Sequence, residues 1–334
     1  MTRYAYLLSL IPTLLSIAGN SLGSWWALAP TAFFAALMVP DWCWQTGRPL
    51  HQDDTVPELT LWAQALLQTM AVTTLITGIA IHSVDGWFIL AAAYSTGLVL
   101  GVGGLTVAHE LIHRRTALSR AAGIWLCFLN RYSHYFIEHL ENHHRHVASQ
   151  YDPVTARLGE SFYRYITRLG WQQFLVALNI EAARLKRQGR LPYGLGNFAV
   201  ISTLLEYGFL MVIAAMAGWL AATALFFAGT TARFFLESAT YVQHYGLARD
   251  ADEPIAGHHS WECDSIVSRV MFLELTRHAD HHCHGNRRFA DLEFTGTSPK
   301  LPAGHFGLFP VVLIPPLWFA LAQARLGSGF MAKN

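Results

Sequence analysis

The sequence predicts an all-α integral membrane protein with about six transmembrane helices in three hairpins and a histidine-rich cytoplasmic cap. Three observations predict this fold class. Hydrophobic residues make up 53% of the 334 residues and charged residues only 13%, which is unusually apolar for a soluble domain. Long stretches of the chain carry no charged residue. Almost all Lys and Arg residues then fall on one side of the predicted membrane region.

The charge-free stretches define the candidate spans. No charged residue occurs between Tyr4 and Pro40. A bilayer span needs roughly 20 apolar residues, so this stretch predicts two helices, with a turn at residues 19–24. Two later pairs of apolar runs predict a second and a third hairpin in the same way. The predicted spans lie within residues 4–40 (two helices), 60–84, 86–108, 196–220 and 221–242.

The basic residues predict the orientation of these spans. Of the 23 Lys and Arg residues, only Arg233 lies inside a predicted span, and the others are all on the side of the N-terminus. This asymmetry is typical of a cytoplasmic side. The formal net charge of +1 gives no indication of nucleic acid as a partner. We predict one membrane-bound domain, 1–334, divided into four spans (1–108), a cytoplasmic insert (109–195), two spans (196–243) and a cytoplasmic cap (244–334).

Eight of the 17 histidines fall in three short windows, all on the predicted cytoplasmic side. Residues three or four apart on a helix share a face, so each window is expected to offer two or three imidazoles to a common point. Neutral imidazole is a good ligand for iron, zinc, copper or nickel. The candidate ligands are His109 and His113 in the first window, His139, His143 and His144 in the second, and His278, His281 and His282 in the third.

Eight imidazoles exceed what one metal ion can use, so two metal ions are the natural number. His244 lies on the same side, at the end of a span whose polar face also carries Arg233 and Glu237. Its spacing alone leaves open whether it is a ligand or an ordinary histidine. Four other histidines are predicted to be ordinary surface or core residues, namely His51, His82, His134 and His305.

Three carboxylates lie between the candidate ligands: Glu110, Glu141 and Asp280. Some of them are expected to orient ligating imidazoles by hydrogen bonding, and an ordinary surface charge is the alternative for each. The doublet His258–His259 is on the same side but is not assigned as a ligand. The four cysteines form no CxxC pair, so neither a disulfide framework nor an iron–sulfur centre is predicted.

The first window also matches H-E-x-x-H, the signature of zinc metalloproteases, with Glu110 as general base. That interpretation leaves the other clustered histidines without a role. A metal transporter is a second alternative, but it would need polar residues through spans that are nearly free of them. A redox site at the end of an apolar helical bundle fits better. Iron suits the activation of O₂, whereas zinc has no redox chemistry, and apolar helices suit a hydrocarbon-like substrate.

Four motifs together resemble the membrane-bound alkane hydroxylases and the xylene monooxygenase hydroxylase subunits, within the wider fatty-acid desaturase/hydroxylase superfamily. They are HELIHRR (109–115), EHLENHH (138–144), YVQHYGL (241–247) and LTRHADHH (275–282). Further matches are YDPVTARLGES (151–161), HHSWE (258–262), NRRF (286–289) and LIPPLW (313–318). In the second window, Leu140, Glu141 and Asn142 stand where alkane hydroxylases tend to show Asn, Arg and Gly. This departure weakens an assignment to simple n-alkanes, and residues 241–261 look closer to the xylene-type relatives.

The resemblance implies a non-haem centre of two Fe ions and O₂ as co-substrate. It implies hydroxylation of a terminal or benzylic methyl group of a hydrophobic small molecule, with desaturation of an acyl chain as the alternative. Electrons would come from a rubredoxin or ferredoxin-type donor with an NAD(P)H reductase. The lipid bilayer would be a bacterial inner membrane, with the metal site on its cytoplasmic side. The implied iron ligands are His109, His113, His139, His143, His144, His244, His278, His281 and His282.

Overall fold

The protein is predominantly helical in the part of the chain that a computed structural model describes, which is residues 3–46, 55–82 and 86–330. Only two isolated β-bridges, and no β-strand, occur within these ranges. The predicted all-α class is therefore confirmed. His51 lies outside the described residues.

Thirteen helices and helical segments organise the described chain. Six of them are long and apolar enough to cross a membrane, which confirms the predicted number of spans. These six are α1, α2, α3, α4, α8 and α9. Apart from other short helical turns, the thirteen are α1 (Tyr4–Leu22), α2 (Ser24–Cys43), α3 (Thr55–His82), α4 (Gly86–His113), α5 (Ala117–Leu129), α6 (Tyr135–Glu138), α7 (Phe162–Arg187), α8 (Phe198–Ala217), α9 (Trp219–His244), α10 (Ile266–Met271), α11 (His278–Cys283), α12 (His305–Val312) and α13 (Pro315–Phe330).

Helices α4 and α9 form the central pair of the bundle, and both end in candidate ligands. Glycines let their backbones approach closely. A Cβ atom at Gly97 would lie 2.7 Å from the carbonyl oxygen of Ala228, and one at Gly101 would lie 2.7 Å from that of Ala232. Small residues at such crossings are the usual way for helices to pack tightly in a membrane. The close crossing fixes the end of α4 relative to the end of α9.

The C-terminal segment (residues 245–330) is tied to the helix ends by buried polar contacts. The carboxylate of Asp41, near the end of α2, accepts hydrogen bonds from the backbone N–H of Ser268 at 3.2 Å and of Gly307 at 3.0 Å. The hydroxyl of Tyr6, in α1, donates to Glu274 at 2.9 Å. A buried polar group costs free energy unless it is hydrogen-bonded, so these contacts select one position for the segment.

Helix α4 extends beyond the charge-free run, which ends at residue 108, and continues to His113. The first histidine pair therefore lies on the last two turns of the span, on one helix as its spacing predicts. In the insert, the sequence pattern of residues 172–189 predicts an amphipathic helix, whereas α7 begins ten residues earlier, at Phe162, and ends at Arg187. The side chain of Ser161 caps it by accepting a hydrogen bond from the N–H of Arg164 at 3.3 Å. The mixed polarity of residues 162–171 hides this start from a periodicity argument.

Candidate metal centre

The first histidine window has the geometry expected from its spacing. His109 and His113 lie one turn apart in the last α-helical stretch of α4, Thr106–His113, and their ring centroids are 4.9 Å apart. Both side chains are buried. This stretch follows a π-helical segment, Leu100–Leu105, in which the backbone is wound more loosely.

The second window contains another π-helical turn, His139–His143, which continues α6. Because a π-helix pairs residue i with residue i+5, His139 meets His144 rather than His143. Their Nε2 atoms are 3.0 Å apart. His143 belongs to a second set of imidazoles. The expectation that this window serves one common point is therefore wrong, and the physical reason is the change of helix type.

The third window is also divided between two sets. On the short helix α11, the Nε2 atoms of His278 and His282 are 3.1 Å apart, as the i,i+4 spacing predicts. The Nε2 atom of His281 instead lies 3.0 Å from that of His144. At the end of α9, His244 places its Nε2 atom 2.9 Å from that of His278. The structure thus brings His244 into the cluster that its spacing alone could not assign it to.

The nine histidines form two adjacent groups, and within each group one potential ligand atom per residue lies within 4.8 Å of all the others. The rings of His144 and His282, one from each group, have centroids 4.6 Å apart, so the groups are in contact. The five-histidine group is His109, His113, His139, His144 and His281. The four-histidine group is His143, His244, His278 and His282.

The arrangement of the nitrogens suits metal binding better than hydrogen bonding, because one imidazole nitrogen has either one proton or one lone pair and cannot form full hydrogen bonds to two other imidazoles. In the five-histidine group the Nε2 atom of His139 is 3.0 Å from two other Nε2 atoms, those of His113 and His144. A separation of about 3.0 Å is what two nitrogens show when each lies about 2.1 Å from one metal ion at a right angle. The buried Nε2 atom of His109 has no hydrogen-bond partner in the described chain. An orphaned acceptor of this kind fits a coordinating atom.

Burial also keeps these imidazoles in the form that binds metals. Removal from water, with the neighbouring imidazoles adding to it, lowers the pKa of His139, His144 and His281 well below the ordinary value for histidine. The same causes lower the pKa of His278 and His282. Neutral imidazole is the ligand form, so the cluster is prepared for a cation near neutral pH.

One carboxylate contacts a clustered imidazole directly, and the sequence did not single it out. Asp152 Oδ2 lies 2.9 Å from His143 Nδ1, and both side chains are buried. Asp152 is itself fixed by the hydroxyl of Thr155 at 2.7 Å and by the N–H of Val154 at 3.0 Å. Such a carboxylate directs the other ring nitrogen of the imidazole toward a metal ion and makes it more basic. Its position in the motif YDPVTARLGES was the only available signal.

The three carboxylates predicted to orient ligands have other partners. Glu110 pairs with Arg114 at 2.7 Å, Glu141 pairs with Arg145 at the surface, and Asp280 accepts from Arg287 at 2.6 Å. Among the described residues, none of the three hydrogen-bonds to a histidine of either group. The ion pair of Glu110 also leaves it without the free carboxylate that the zinc-protease alternative requires of a general base.

The histidines predicted to be ordinary lie outside both groups where they are described. His82 places its Nε2 atom 3.2 Å from the carbonyl oxygen of Ser21 in the last turn of α1, and His134 and His305 are buried elsewhere. His258 and His259 form a third small cluster with Glu253. There the N–H of Ala256 donates to Nδ1 of His259 at 3.0 Å. Neutral His259 must then carry its proton on Nε2, which removes that lone pair from metal binding.

A small cavity lies between the two groups. Its volume is about 20 Å³, close to the space that one water-sized molecule needs. Histidines from both groups border it, His109 and His139 on one side and His143 and His278 on the other. The other walls combine apolar and polar side chains. The polar ones are Gln173, Glu237, Thr240 and Gln243, and the others are Tyr135, Val154, Leu236, Ala239, Phe272 and Leu275.

The helical membrane fold and the two histidine groups are together typical of a membrane enzyme whose metal ions are held by histidines. Comparisons with known proteins give its family. The Fatty acid desaturase family model matches residues 85–311. The chain is 31% identical to alkane 1-monooxygenase 2 of Pseudomonas aeruginosa, over 100% of this chain and 94% of that protein. It is 36% identical to the alkane 1-monooxygenase of Pseudomonas putida, over 70% of this chain and 59% of the relative.

A third relative is the xylene/toluene monooxygenase hydroxylase component of Pseudomonas putida. It is 30% identical over 96% of this chain and 88% of its own length. The chain therefore belongs to the fatty acid desaturase family and, within it, to the group of alkane hydroxylases and xylene monooxygenase hydroxylases. It is an integral membrane protein and an oxidoreductase of the monooxygenase type. Membership and the two histidine groups together indicate a non-haem iron cofactor.

Proposed function

We propose that this protein uses O₂ to hydroxylate a terminal or benzylic methyl group of a hydrophobic substrate, such as an alkane or an alkyl-aromatic. The single observation that carries the proposal is the cavity that both histidine groups border and that apolar side chains line in part. We assign one iron ion to the five-histidine group and one to the four-histidine group. Bound iron would supply the reduction of O₂ and the oxidation of the C–H bond.

The chain's own residues would prepare the cavity for a hydrocarbon. Leu236, Ala239, Phe272 and Leu275 present apolar surface beside the histidines, which excludes water and favours an apolar chain end or methyl group over a polar one. The cavity is small, so it accommodates the reacting end of a substrate rather than a whole molecule. Leu236 and Ala239 belong to α9, a predicted span, so the remainder of an apolar substrate can lie along the membrane bundle.

The polar residues near the cavity would hold the ligands rather than the substrate. Asp152 fixes the ring of His143, and Tyr135 stacks on the ring of His139, with centroids 4.7 Å apart and planes 23° from parallel. Rings held in this way need not reorganise when a metal ion binds, and preorganisation of this kind supports both affinity and catalysis.

Two electrons for each turnover would come from a separate carrier. The chain has no pair of closely spaced cysteines that suits an iron–sulfur centre, which supports a rubredoxin or a ferredoxin-type protein with an NAD(P)H reductase. The basic residues of the predicted cytoplasmic side suit an acidic carrier, and anionic lipid headgroups are the competing explanation for that charge. The same asymmetry supports a bacterial inner membrane with the iron site facing the cytoplasm.

Desaturation of an acyl chain is the second candidate, and the observation in its favour is the match to the Fatty acid desaturase model over residues 85–311. The two reactions differ in product mass. Hydroxylation adds one oxygen atom, and desaturation removes two hydrogen atoms. We favour hydroxylation because the named relatives across nearly the whole chain are an alkane and a xylene/toluene monooxygenase.

The test is product identification in membranes supplied with a reductase system and a panel of n-alkanes, alkylbenzenes and fatty acids. We expect a product with one added oxygen atom, with the atom derived from ¹⁸O₂, and iron in the purified protein. A product lacking two hydrogens would favour desaturation. Zinc in place of iron, with no oxidised product from any substrate, would overturn the proposal.

A further inference from the structure

A line of stacked aromatic rings starts at the cavity. Tyr135, which borders the cavity, lies between the ring of His139 and the ring of Tyr132. The planes are 23° and 20° from parallel, with centroids 4.7 and 5.1 Å apart. Tyr132 is completely buried. Phenol rings give up an electron more readily than aliphatic side chains, and stacking brings one such ring into electronic contact with a candidate ligand.

Tyr132 shares a proton acceptor with a second buried tyrosine. Its hydroxyl donates to Oε1 of Glu237, and the hydroxyl of Tyr165 donates to Oε2 of the same carboxylate at 3.2 Å. Gln173 contributes an amide N–H to Oε1 at 3.3 Å. A phenol that loses an electron becomes strongly acidic, so a tyrosine is readily oxidised only where a base can take its proton. Glu237 provides that base for both rings at once.

The line continues from Tyr165 to the protein surface. The ring of Tyr165 is 5.2 Å from that of Tyr241, which is 5.4 Å from that of Tyr245 and 5.9 Å from that of Trp318. All of these rings are completely buried. The hydroxyl of Tyr245 accepts a hydrogen bond from the N–H of Gly159 at 2.9 Å, and Gly159 is exposed. Buried Tyr and Trp rings therefore extend from the cavity toward solvent, with the Glu237 carboxylate as the link between Tyr132 and Tyr165.

We propose that these aromatic residues, here called the aromatic line, form an electron path that protects the metal centre when O₂ is activated without substrate. The line consists of Tyr135, Tyr132, Tyr165, Tyr241, Tyr245 and Trp318. In that event the centre holds two oxidising equivalents that a substrate would have consumed. For each equivalent, one electron passes from Tyr132 through the ring of Tyr135 to the centre, and the phenol proton of Tyr132 goes to Glu237. Tyr165 then passes an electron to the oxidised Tyr132, and Glu237 returns the first proton to Tyr132. The phenol proton of Tyr165 moves to Glu237, so the radical now lies on Tyr165.

The oxidised residues of the aromatic line are reduced again from the protein surface. A one-electron reductant in solution, such as a thiol or the electron carrier itself, reduces the outer rings near Gly159. The electron travels through Tyr241 to Tyr165, and Glu237 returns its proton there. Two such events, with protons from water, complete the reduction of O₂ to two molecules of water. Two electrons come from the carrier in the ordinary way and two come through the aromatic line.

This inference rests on the proposed function, because it needs an oxidised iron centre. Its test uses the iron-loaded, reduced full-length enzyme, mixed with O₂ without substrate, freeze-quenched and examined by electron paramagnetic resonance. We expect a tyrosyl or tryptophanyl radical signal that changes shape when the protein carries ring-deuterated tyrosine. Saturating hydrocarbon should suppress the signal. In Tyr132→Phe, which keeps the ring and the packing, the signal should fall to background.

The matched control is Tyr163→Phe, because Tyr163 is half exposed, bonds to the carbonyl oxygen of Leu313 and does not belong to the line. A second measurement is mass spectrometry of oxidised histidines after repeated turnover without substrate. Tyr165→Phe should accumulate more oxidised His139 and His144 than Tyr163→Phe. Equal radical yield and equal damage in the line and control variants would overturn the inference.

The two proposals fail in distinguishable ways. If the same preparations contain iron and form hydroxylated product but show no radical, the protective path alone is wrong. If they contain no iron or form no hydroxylated product, the proposed function is wrong, and the inference of a protective electron path is then wrong as well. Substrate hydroxylation by Tyr165→Phe in a single turnover should equal that of the unmodified protein, because Tyr165 borders neither the cavity nor a clustered histidine.

Discussion

The five-histidine group and the four-histidine group are supported in different ways. The five-histidine group takes two of its members from the end of one membrane helix, α4, and in the described chain no carboxylate hydrogen-bonds to any of its imidazoles. Its rings are held by packing, as where Tyr135 stacks on His139. The four-histidine group joins the end of α9 to α11, and it includes His143 with the Asp152 carboxylate behind it.

This difference indicates which changes should affect each iron site. A group held by helix packing should respond to changes in volume near the helix end. A group held by a buried carboxylate and by backbone contacts should respond to changes in charge and hydrogen bonding. The two groups share the cavity, so loss of either should stop catalysis, but iron content should show which of them was damaged.

Removal of one ligand from each group is expected to have the largest effect. His281→Ala takes an imidazole from the five-histidine group and His282→Ala takes one from the four-histidine group, although the two residues are neighbours. Activity should fall by more than about 100-fold in each, since loss of even an outer partner of a ligand typically costs about 10–100-fold. Iron analysis of each purified variant should show about one iron per chain rather than two.

The control for this pair is His82→Ala, which removes a histidine that lies outside both groups and contacts the turn at Ser21. It should alter neither iron content nor activity. Full iron content and activity in His281→Ala would contradict the assignment of the five-histidine group. If both cluster variants lost all their iron, the two sites would be interdependent rather than separately supported.

Asp152→Asn should affect the four-histidine group alone. Asparagine keeps the size of the side chain but removes the charge that holds and orients the His143 ring, so activity or metal affinity should fall by about 10–100-fold. Chelator challenge followed by iron analysis measures the effect, with loss of one iron before the other. Glu141→Gln is the matched control, because Glu141 lies in the same window but pairs with Arg145 at the surface. Equal loss of iron in the two variants would contradict an orienting role for Asp152.

Gly123→Ala should affect the five-histidine group through packing. A Cβ atom there would lie 2.9 Å from the backbone nitrogen of Ile112 and 3.0 Å from the carbonyl oxygen of Ala108, so α5 must move away from the end of α4. Overpacking of this kind costs about 1–3 kcal/mol. Thermal unfolding in detergent should show the loss. In Gly170→Ala, where a Cβ atom meets nothing within 4 Å, stability should be unchanged or slightly higher.

The sequence predicted the parts of this structure that depend on local pattern. Long apolar runs predicted the six spans, and the i,i+4 spacing predicted the pairing of His109 with His113. The division of the second window between the two groups depends on a π-helical turn, and no simple periodicity indicates one. The contact of Asp152 with His143 depends on a loop that folds back over nine residues, with its position fixed by Thr155. Such contacts arise from tertiary packing, so spacing alone could not predict them.

A pH-dependent effect is expected at the backbone that joins the two elements of the four-histidine group. In the segment 261–263, the N–H of Trp261 donates to the carbonyl oxygen of Gln243, beside His244, and the N–H of Cys263 donates to that of Thr276, just before α11. Between them lies Glu262, a completely buried residue. Burial raises the pKa of Glu262 from 4.5 to about 7, although Arg277 opposes the shift.

A carboxyl group whose pKa is higher in the folded state holds a proton there that the unfolded chain has released. Stability must therefore fall as the pH rises from about 4.5 to about 7, by at most about 3 kcal/mol. Glu262→Gln should remove this contribution, so the difference in unfolding temperature between the variant and the unmodified protein should grow across that range. The exposed Glu293, changed to Gln, is the control and should show no such trend. A pH-independent difference for Glu262→Gln would show that Glu262 is ionised in the folded protein. In that case the four-histidine group would keep its backbone support at alkaline pH.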